Sequence, residues 1–344
     1  MARAIELARG GEGFVSPNPM VGAVIVCDGR IIGEGFHRRF GGPHAEVNAV
    51  NSVKDKTLLP QSTIYVTLEP CSHFGKTPPC ALLLKEVGIR RIVVGCGDPN
   101  PKVAGRGIEM LRQAGREVKV GVLERECFEL NRAFMTSKLK HRPYVTLKWA
   151  CSADGYLDRK REPSEPAERF STPLTTQTVQ LLRSRNDAIL VGSSTVIADD
   201  PRLDVRTVYG RQPLKVVLDR RGRVPATARV FNPSGTDNQD KTVLYFGPKR
   251  TDLPATVEII ETQSDTTLSD VLSELDRRGI ISLLVEGGAT LHRAFIDASL
   301  WDCARIEIAP RTLADKGAAY LPIPSGATSA QTLDGNTILN VTRE

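Results

Sequence analysis

The sequence lacks any apolar run that approaches the roughly 20 residues of a membrane-spanning helix. Its first residues, "MARAIELARG", have a helical pattern and no long apolar stretch of the kind found in a secretory signal. Internal repeats and low-complexity tracts are also missing. From these absences we expect a cytoplasmic globular protein that does not bind a membrane.

Disulfides are not expected either, because the seven cysteines are odd in number and spread over a large chain of 344 residues. Five of the seven stand in apolar or otherwise structural surroundings and are predicted to be structural thiols, namely Cys27, Cys96, Cys127, Cys151 and Cys303. Cys71 and Cys80 differ, since each directly follows a proline beside a polar loop.

A strong charge imbalance is absent as well. The net charge of +6 is mild for this length, and Lys and Arg are spread along the chain. This pattern argues against nucleic acid as a partner and leaves small anionic molecules as candidate ligands.

The length suits two domains. In the first half, helical and strand patterns alternate, which is typical of a layered α/β sheet with parallel strands, and Asp28-Gly29 predicts a hairpin. One basic helix is predicted over 124–142, stopped by Pro143. A second α/β series follows, with a strand over 187–196 and helices near 173–185, 268–278 and 289–298. We therefore predict two α/β domains, residues 1–141 and 142–344.

The segment "GGPHAEVNAV" places His44 two residues before Glu46, and "EPCSHFGKTPPC" supplies Cys71 and Cys80. One imidazole and two thiolates suit zinc, and three protein ligands leave the fourth tetrahedral position for water, as in catalytic sites. A His-x-Glu motif with a downstream Pro-Cys pair is typical of zinc-dependent nucleobase deaminases. In that chemistry zinc activates water, and Glu46 would transfer the protons.

Two structural alternatives accompany this interpretation. His44 and Glu46 could simply open a helix, since an acidic residue is favourable in a first helical turn. His73 could be a fourth ligand that closes a structural zinc site, but Glu46 would then have no role.

Two cysteines nine positions apart, rather than three, separate this motif from ordinary cytidine-type deaminases. The segments "SPNPMVGAVIV", "GEGFHRRFGGPHAE", "YVTLEPCSHFGKTPPC" and "GDPNPKVAGRG" resemble the deaminase domain of the bifunctional riboflavin-biosynthesis deaminase/reductases. The resemblance implies a three-layer cytidine-deaminase-like fold, zinc on His44, Cys71 and Cys80, and Glu46 as proton shuttle. It also implies substrate contacts from Asn18, His37, Lys76, Asp98 and Asn100. Lys76 could instead be a solvated loop lysine, and His37 a surface or strand-end histidine.

The second half resembles the reductase domain of the same family, which has a dihydrofolate-reductase-like fold. The segments are "YVTLKWACSADGYLD", "LLRSRNDAILVGSSTVIADDPRLDVR", "PLKVVLDRRGRVP" and "LLVEGGATLHRAFIDASLWDCARIEIAP". This resemblance implies NADPH-dependent reduction of a ribosyl to a ribityl group, in a dimer or larger homo-oligomer. Cofactor contacts are implied for Ala150, Thr195, Asp199, Gly288, Ala289 and Thr290. Substrate contacts are implied for Arg183, Leu203, Arg206 and Glu286, with the two arginines as a possible phosphate clamp.

Several features of this half leave alternatives open. Each arginine could form a surface ion pair, Asp199 could cap a helix or turn, and His292 is predicted to lie on a helix surface. The dinucleotide motif G-x-G-x-x-G is absent, so the cofactor would be held in another way. Where many family members have a Gly-Glu-Ser-x-Trp-Ile-Thr segment, this chain reads "EPAERFSTPLTT", without tryptophan.

Two other functional hypotheses are compatible with the zinc motif. One is a nucleoside or tRNA deaminase fused to an unrelated domain, which the long, lysine-bearing cysteine loop disfavours. The other is a structural zinc protein that binds nucleic acid, which the mild charge and the presence of Glu46 disfavour.

Overall fold

Two units divide the chain, Met1–His141 and Arg142–Glu344. The computed structural model describes residues 1–72, 74, 78–100, 103–162, 165–232 and 243–343. Over these residues, no helix has both the length and the apolarity needed to cross a membrane.

The first unit is built on a five-stranded sheet in the order β2-β1-β3-β4-β5. Its strands are β1 Gly22–Cys27, β2 Arg30–Phe36, β3 Thr63–Leu68, β4 Arg91–Cys96 and β5 Glu117–Val120. Its helices are α1 Ala2–Ala8, α2 Ala45–Ser52, α3 Cys80–Glu86, α4 Arg106–Gln113, α5 Glu124–Leu130 and α6 Arg132–Lys140, with 3-10 turns at Arg9–Gly11 and Lys56–Gln61.

The central strands of this sheet are buried because they consist largely of apolar residues. β3 and β4 run parallel, and Ile64, Val66, Ile92 and Val94 are fully buried, as expected for internal strands covered on both faces. β1 instead pairs antiparallel with both β2 and β3, so the sheet is mixed. The predicted hairpin is confirmed: Asp28 and Gly29 have φ of 48° and 74°, the values of a tight two-residue turn.

The second unit has a nine-stranded sheet in the order β11-β10-β9-β8-β12-β6-β13-β16-β15, with β7 and β14 paired separately. The strands are β6 Tyr144–Cys151, β7 Tyr156–Arg159, β8 Ala188–Gly192, β9 Leu214–Leu218, β10 Val243–Gly247, β11 Val257–Glu261, β12 Ser282–Val285, β13 Cys303–Ile308, β14 Gly317–Tyr320, β15 Ala327–Leu333 and β16 Asn336–Thr342. The helices are α7 Pro173–Ser184, α8 Ser193–Asp199, α9 Leu268–Arg277 and α10 Ala289–Asp297, with a 3-10 turn at Ala314–Lys316. The predicted α/β class is thus confirmed for both units.

The helix predicted over 124–142 is wrong in one respect, because it breaks into α5 and α6 at Asn131. Asn131 leaves helical geometry, with φ −112° and ψ 22°. Its side chain is buried and brackets the backbone of Met20: the Met20 N–H donates to Oδ1 at 2.7 Å, and Nδ2 donates to the Met20 carbonyl at 2.9 Å. These two bonds fix the break, and with it the direction of α6.

Two further expectations for the second unit need correction. The strand predicted over 187–196 ends at Gly192, which caps α8. The C-terminal strands β15 and β16 were not predicted, although the hairpin between them turns at Asp334-Gly335, with φ of 51° and 84°. β15 is almost wholly exposed and lacks the apolar alternation by which strands are identified.

Candidate active sites

Three ligand atoms of the predicted zinc site converge in the first unit. His44 directly precedes α2, Cys71 lies shortly after β3, and Cys80 is the first residue of α3. His44 Nδ1 lies 3.3 Å from Cys80 Sγ and 3.6 Å from Cys71 Sγ, and the three ligand atoms are within 4.8 Å of one another. A tetrahedral zinc with ordinary bond lengths would separate an imidazole nitrogen from a thiolate sulfur by about 3.6 Å. The three side chains therefore fit this ion.

Without a metal ion, the surroundings shift the pKa values of the two thiols in opposite directions. Hydrogen bonds from Cys80, and secondarily from His44, lower the pKa of Cys71 to about 4. The hydrogen bond to Cys71, and then burial, raise the pKa of Cys80. The backbone N–H of Cys80 also donates to Cys71 Sγ at 3.3 Å, so the start of α3 stabilises the anionic sulfur.

Glu46 lies in the first turn of α2 and is 3% exposed. Burial, and then the neighbouring Cys71, raise the pKa of its carboxyl to about 7. A carboxyl that gains and loses a proton near neutral pH is suited to proton transfer.

A cavity of about 280 Å³ opens onto these groups. His44, Glu46 and Cys71 line it together with four of the predicted substrate residues, Asn18, His37, Asp98 and Asn100. Lys76, the fifth, lies outside the described residues, as does His73, the alternative fourth ligand.

His37 directly follows β2 and is buried, so it is not a surface histidine. Its Nδ1 lies 3.0 Å from the Pro43 carbonyl and its Nε2 lies 3.2 Å from Asn18 Nδ2. Burial lowers its pKa, so the ring is neutral. These partners assign the proton to Nδ1, which donates to Pro43, and leave Nε2 to accept from Asn18.

Glu69, which directly follows β3, was missed by the sequence reasoning. It is 4% exposed, and its carboxylate accepts four backbone N–H groups: Gly105 at 2.9 Å, Gly107 at 3.0 Å, Ile108 at 3.3 Å and Asp98 at 3.4 Å. Glu69 thereby ties Asp98 and the start of α4 to the strand that leads into Cys71. A carboxylate at the end of a buried strand was the available indication.

The second unit contains a larger cavity, of about 740 Å³. Its lining includes all six predicted cofactor residues, Ala150, Thr195, Asp199, Gly288, Ala289 and Thr290. They meet because β8, β12 and β6 are adjacent parallel strands, so that the segments after their carboxyl ends share one edge of the sheet. The Gly288 N–H donates to Thr195 Oγ1 at 2.8 Å, which joins two of these segments directly.

The predicted substrate residues divide between two adjoining cavities. Glu286 lines the large cavity, Arg183 and Leu203 line a second cavity of about 290 Å³, and Arg206 lines both. Arg183 is already paired: Nε and Nη2 each donate to the Glu286 carboxylate at 2.8 Å, and Nη1 donates to the Asp204 carbonyl at 3.1 Å. Arg206 is exposed and pairs with Asp204. Arg183 thus orients Glu286, and Arg206 is the more accessible cation.

Asp199, expected to contact the cofactor or to cap a turn, is the last residue of α8 and forms an ion pair with Arg161 at 2.9 Å. Lys148 also lines the large cavity and was not singled out from the sequence. Burial lowers the pKa of its ammonium group. A lysine in this position can act as a proton donor.

His292 does not lie on a helix surface as predicted. It is fully buried in α10 beside Trp149, with a distance of 5.2 Å between ring centroids. Burial lowers its pKa to about 3, so the imidazole is neutral.

The segment that lacks the family tryptophan still reaches the large cavity, because residues 167–171 line it. Ser171 Oγ donates to the buried Glu307 carboxylate at 2.7 Å, and Asn336 Nδ2 donates to the same carboxylate at 2.7 Å. Phe170 is buried beneath the Arg311 guanidinium at 5.1 Å. The tryptophan is therefore not needed to hold this segment against the cavity.

Known proteins resemble both units. Residues 1–96 match the cytidine and deoxycytidylate deaminase zinc-binding region, and residues 143–338 match the RibD C-terminal domain. The riboflavin biosynthesis protein RibD of Bacillus amyloliquefaciens is 42% identical over 321 residues, which cover 90% of this chain and 83% of that protein. RibD of Escherichia coli is 38% identical over 343 residues, covering 94% and 90%.

Solved structures agree with these relatives. A RibD structure from Acinetobacter baumannii has a TM-score of 0.89 and 37% identity, covering 100% of this chain and 97% of that one. A diaminohydroxyphosphoribosylaminopyrimidine deaminase/5-amino-6-(5-phosphoribosylamino)uracil reductase from Thermotoga maritima has a TM-score of 0.88 and 38% identity, with the same coverage. The chain belongs to the RibD family of bifunctional deaminase-reductases of riboflavin biosynthesis.

Proposed function

We propose that this chain catalyses two successive steps of riboflavin synthesis. Residues 1–141 deaminate 2,5-diamino-6-(5-phosphoribosylamino)pyrimidin-4-one to the aminouracil with zinc, and residues 142–344 use NADPH to reduce its ribosyl group to ribityl phosphate. The observation that supports the deamination is the convergence of His44, Cys71 and Cys80 beside the buried Glu46, at a cavity of about 280 Å³.

In the deamination, zinc held by His44, Cys71 and Cys80 supplies the activation of a water molecule. Glu46 would pass one proton of that water to the ring nitrogen and then the second proton to the amino group, which would leave as ammonia while the water oxygen becomes the carbonyl oxygen. Its raised pKa supports both roles. Neutral His37, with Asn18 on its Nε2, presents a rigid polar wall to the pyrimidine, and Asp98 and Asn100 complete the substrate contacts.

In the reduction, NADPH held in the large cavity would supply the hydride for the anomeric carbon, and the bond between that carbon and the ring oxygen would break. The ring oxygen would then need a proton, which Lys148 can donate because it lines the cavity. Ala150, Thr195 and Asp199 would hold the cofactor together with Gly288, Ala289 and Thr290 at the start of α10. The N–H groups at the start of α10 suit its phosphates.

On the substrate side of the reductase cavity, Glu286 is fixed by Arg183 for contact with the sugar. Leu203 and Arg206 line the adjoining cavity, where the exposed guanidinium of Arg206 suits the substrate phosphate. The buried Arg183–Glu286 pair supports positioning rather than direct phosphate binding by Arg183.

We further propose that the protein works in the cytoplasm as a homo-oligomer on small phosphorylated pyrimidines, without nucleic acid or a membrane. The family resemblance supports the assembly, and the mild net charge supports a small-molecule partner. Light scattering on the purified chain, with and without NADPH, would give the number of subunits.

The decisive experiment supplies the phosphoribosylamino diaminopyrimidinone to the zinc-loaded protein and follows ammonia release and NADPH oxidation separately. Ammonia should appear first, and NADPH oxidation should require the deaminated product. Asp199→Ala should slow NADPH oxidation and leave ammonia release intact. If this variant abolished both reactions, the division into two sites would be wrong.

A further inference from the structure

One wall of the large cavity in the second unit is a segment without regular secondary structure, residues 167–171. The segment lies between β7 and α7, and all five of its residues line the cavity. Such a segment has no ladder of backbone hydrogen bonds, so its position depends on the side chains that bind it. The side chains of Asp158, Arg311 and Asn336 each form a hydrogen bond with its main chain.

On its buried side the segment is held by Glu307, a carboxylate to which the proposed reaction gives no role. Glu307 lies in β13 and is fully buried. Its Oε2 accepts from Ser171 Oγ at 2.7 Å, and its Oε1 accepts from Asn336 Nδ2 at 2.7 Å. Asn336 Nδ2 also donates to the Phe170 carbonyl at 2.9 Å. One carboxylate and one amide therefore hold two consecutive residues of the wall.

The sheet brings the Glu307 and Asn336 side chains together. β13 and β16 are antiparallel neighbours, and Glu307 lies opposite Ile338, two positions after Asn336, so both side chains extend from the same face. Asn336 is the first residue of β16, directly after the Asp334-Gly335 turn, and is 3% exposed. A buried carboxylate or amide without a partner costs free energy, so each of these two side chains fixes the other. The C-terminal hairpin thus supports the wall of the cavity.

We propose that Glu307 is a positioning residue of the reductase, which keeps residues 167–171 where they form a wall for NADPH. This inference rests on the proposed function. Glu307 is not among the described residues that line the cavity, so it acts through Ser171 and Asn336. When the wall is in place in only part of the molecules, the apparent affinity for NADPH falls with that fraction. At saturating NADPH the bound cofactor holds the wall, so kcat should change little.

The test compares Glu307→Ala, which removes both contacts, with Glu307→Gln, which can keep them. The glutamine oxygen can accept from Asn336, and its NH₂ group can donate to the Ser171 hydroxyl, which accepts as well as donates. In Glu307→Ala the KM for NADPH should rise about 10- to 100-fold, with kcat within about twofold of the wild type. In Glu307→Gln the KM for NADPH should stay within about threefold of the wild type.

Amide hydrogen exchange in the NADPH-free protein gives a readout that does not depend on activity. The Glu168 N–H donates to Asp158 Oδ1 at 2.9 Å, and it should exchange about 10- to 100-fold faster in Glu307→Ala. Ser171→Ala tests the same link if Glu307→Ala does not fold. Because Glu307 then keeps its bond to Asn336, the KM and the exchange rate should each rise only about 3- to 10-fold.

Glu261→Ala is the matched control. Glu261 is the last residue of β11, the edge strand of the same sheet, and it is exposed. It should leave the KM for NADPH and the exchange rate of the Glu168 N–H as in the wild type. Ammonia release by the first unit should be unchanged in every variant.

The outcomes separate the two proposals. If the wild type oxidises NADPH with ready-made aminouracil phosphate, and Glu307→Ala and Ser171→Ala do so with unchanged KM, the role of Glu307 is refuted and the proposed function stands. Equal rises in KM for Glu307→Ala and Glu307→Gln would also refute it, because they indicate a role for the charge rather than for the two contacts. If the wild type neither binds nor oxidises NADPH, the proposed function fails and this inference fails with it.

Discussion

Glu69→Gln tests whether Glu69 holds the backbone around the deaminase site in place without itself taking part in the reaction. The Glu69 carboxylate accepts two backbone N–H groups on each oxygen: Gly107 and Ile108 on Oε1, Gly105 and Asp98 on Oε2. Glutamine keeps the shape but replaces one oxygen with an NH₂ group, which cannot accept. The NH₂ group then faces either the buried N–H groups of Gly107 and Ile108 or the partly buried ones of Gly105 and Asp98, so two N–H groups lose their acceptor in either orientation of the amide.

The free energy lost in Glu69→Gln follows from the two N–H groups that no longer have an acceptor. Each buried donor left without an acceptor costs about 1–3 kcal/mol, and the remaining two bonds lose their charge assistance. Some relaxation at the start of α4 recovers part of this loss. However, α4 cannot move closer, because a Cβ on Gly107 would already lie 1.9 Å from the Pro70 carbonyl oxygen. We expect the local opening of this region to become easier by about 2–4 kcal/mol.

Amide hydrogen exchange measures this opening directly. The N–H groups of Gly105, Gly107 and Ile108 should exchange about 30- to 1000-fold faster in Glu69→Gln, because each 1.4 kcal/mol is a factor of ten. Zinc should remain bound, while the KM for deamination rises because Asp98 loses its anchor. Glu109→Gln is the control, since Glu109 is exposed on the same helix. Exchange rates within threefold of the wild type would refute the reasoning.

Three other predictions concern the zinc site and the buried histidine. Glu46→Gln should keep zinc, by metal analysis, and lose ammonia release by about 10²- to 10⁴-fold; near-normal deamination would contradict proton transfer by Glu46. Chelation of zinc should abolish ammonia release reversibly but leave NADPH oxidation with ready-made aminouracil phosphate unchanged; loss of both would indicate coupled sites. His292 keeps its ring neutral in the folded state, with a pKa lowered by burial from 6.5 to about 3, so the unfolded chain takes up its proton first as pH falls. The free energy of unfolding therefore falls below about pH 6.5, by up to ~1.4 kcal/mol per pH unit from this group. His292→Gln should reduce this pH dependence, measured by urea unfolding followed by the fluorescence of Trp149 and Trp301. An unchanged pH dependence would show that the ring is not buried and neutral.

The convergence of His44, Cys71 and Cys80 could be predicted because zinc selects residue types, and residue type with spacing is what a sequence displays. His44, Cys71 and Cys80 are held by the starts of two helices and the end of one strand, all of which have clear patterns. The α/β alternation was predictable for the same reason, since buried parallel strands such as β3 and β4 are continuous apolar runs.

The sequence-based prediction was wrong where the residue type suggested an exposed side chain but the position in the helix indicated a buried one. His292 was assigned to a surface because histidine is polar. However, it lies three residues before the buried Phe295 and therefore on the inner face of α10. The pairing of Arg183 with Glu286 was also missed, because the two residues are 103 positions apart. Both had been assigned to the substrate, and only the fold shows that one holds the other.

Asn131 and Glu69 mark a more general limit. Asn131 binds the backbone of Met20, 111 residues away, and Glu69 binds backbone amides 29 to 39 residues away. Backbone N–H and carbonyl groups are common to nearly all residue types, so the amino-acid identity of the partner does not reveal the hydrogen bond. Ligand-binding residues can be found from their chemistry, whereas residues that position them bind groups common to every residue. In this chain the positioning residues are polar side chains directly after an apolar strand or within a helical run. At these positions a buried polar side chain needs a hydrogen-bond partner. The bonds that it forms then fix the backbone segments that line the cavity.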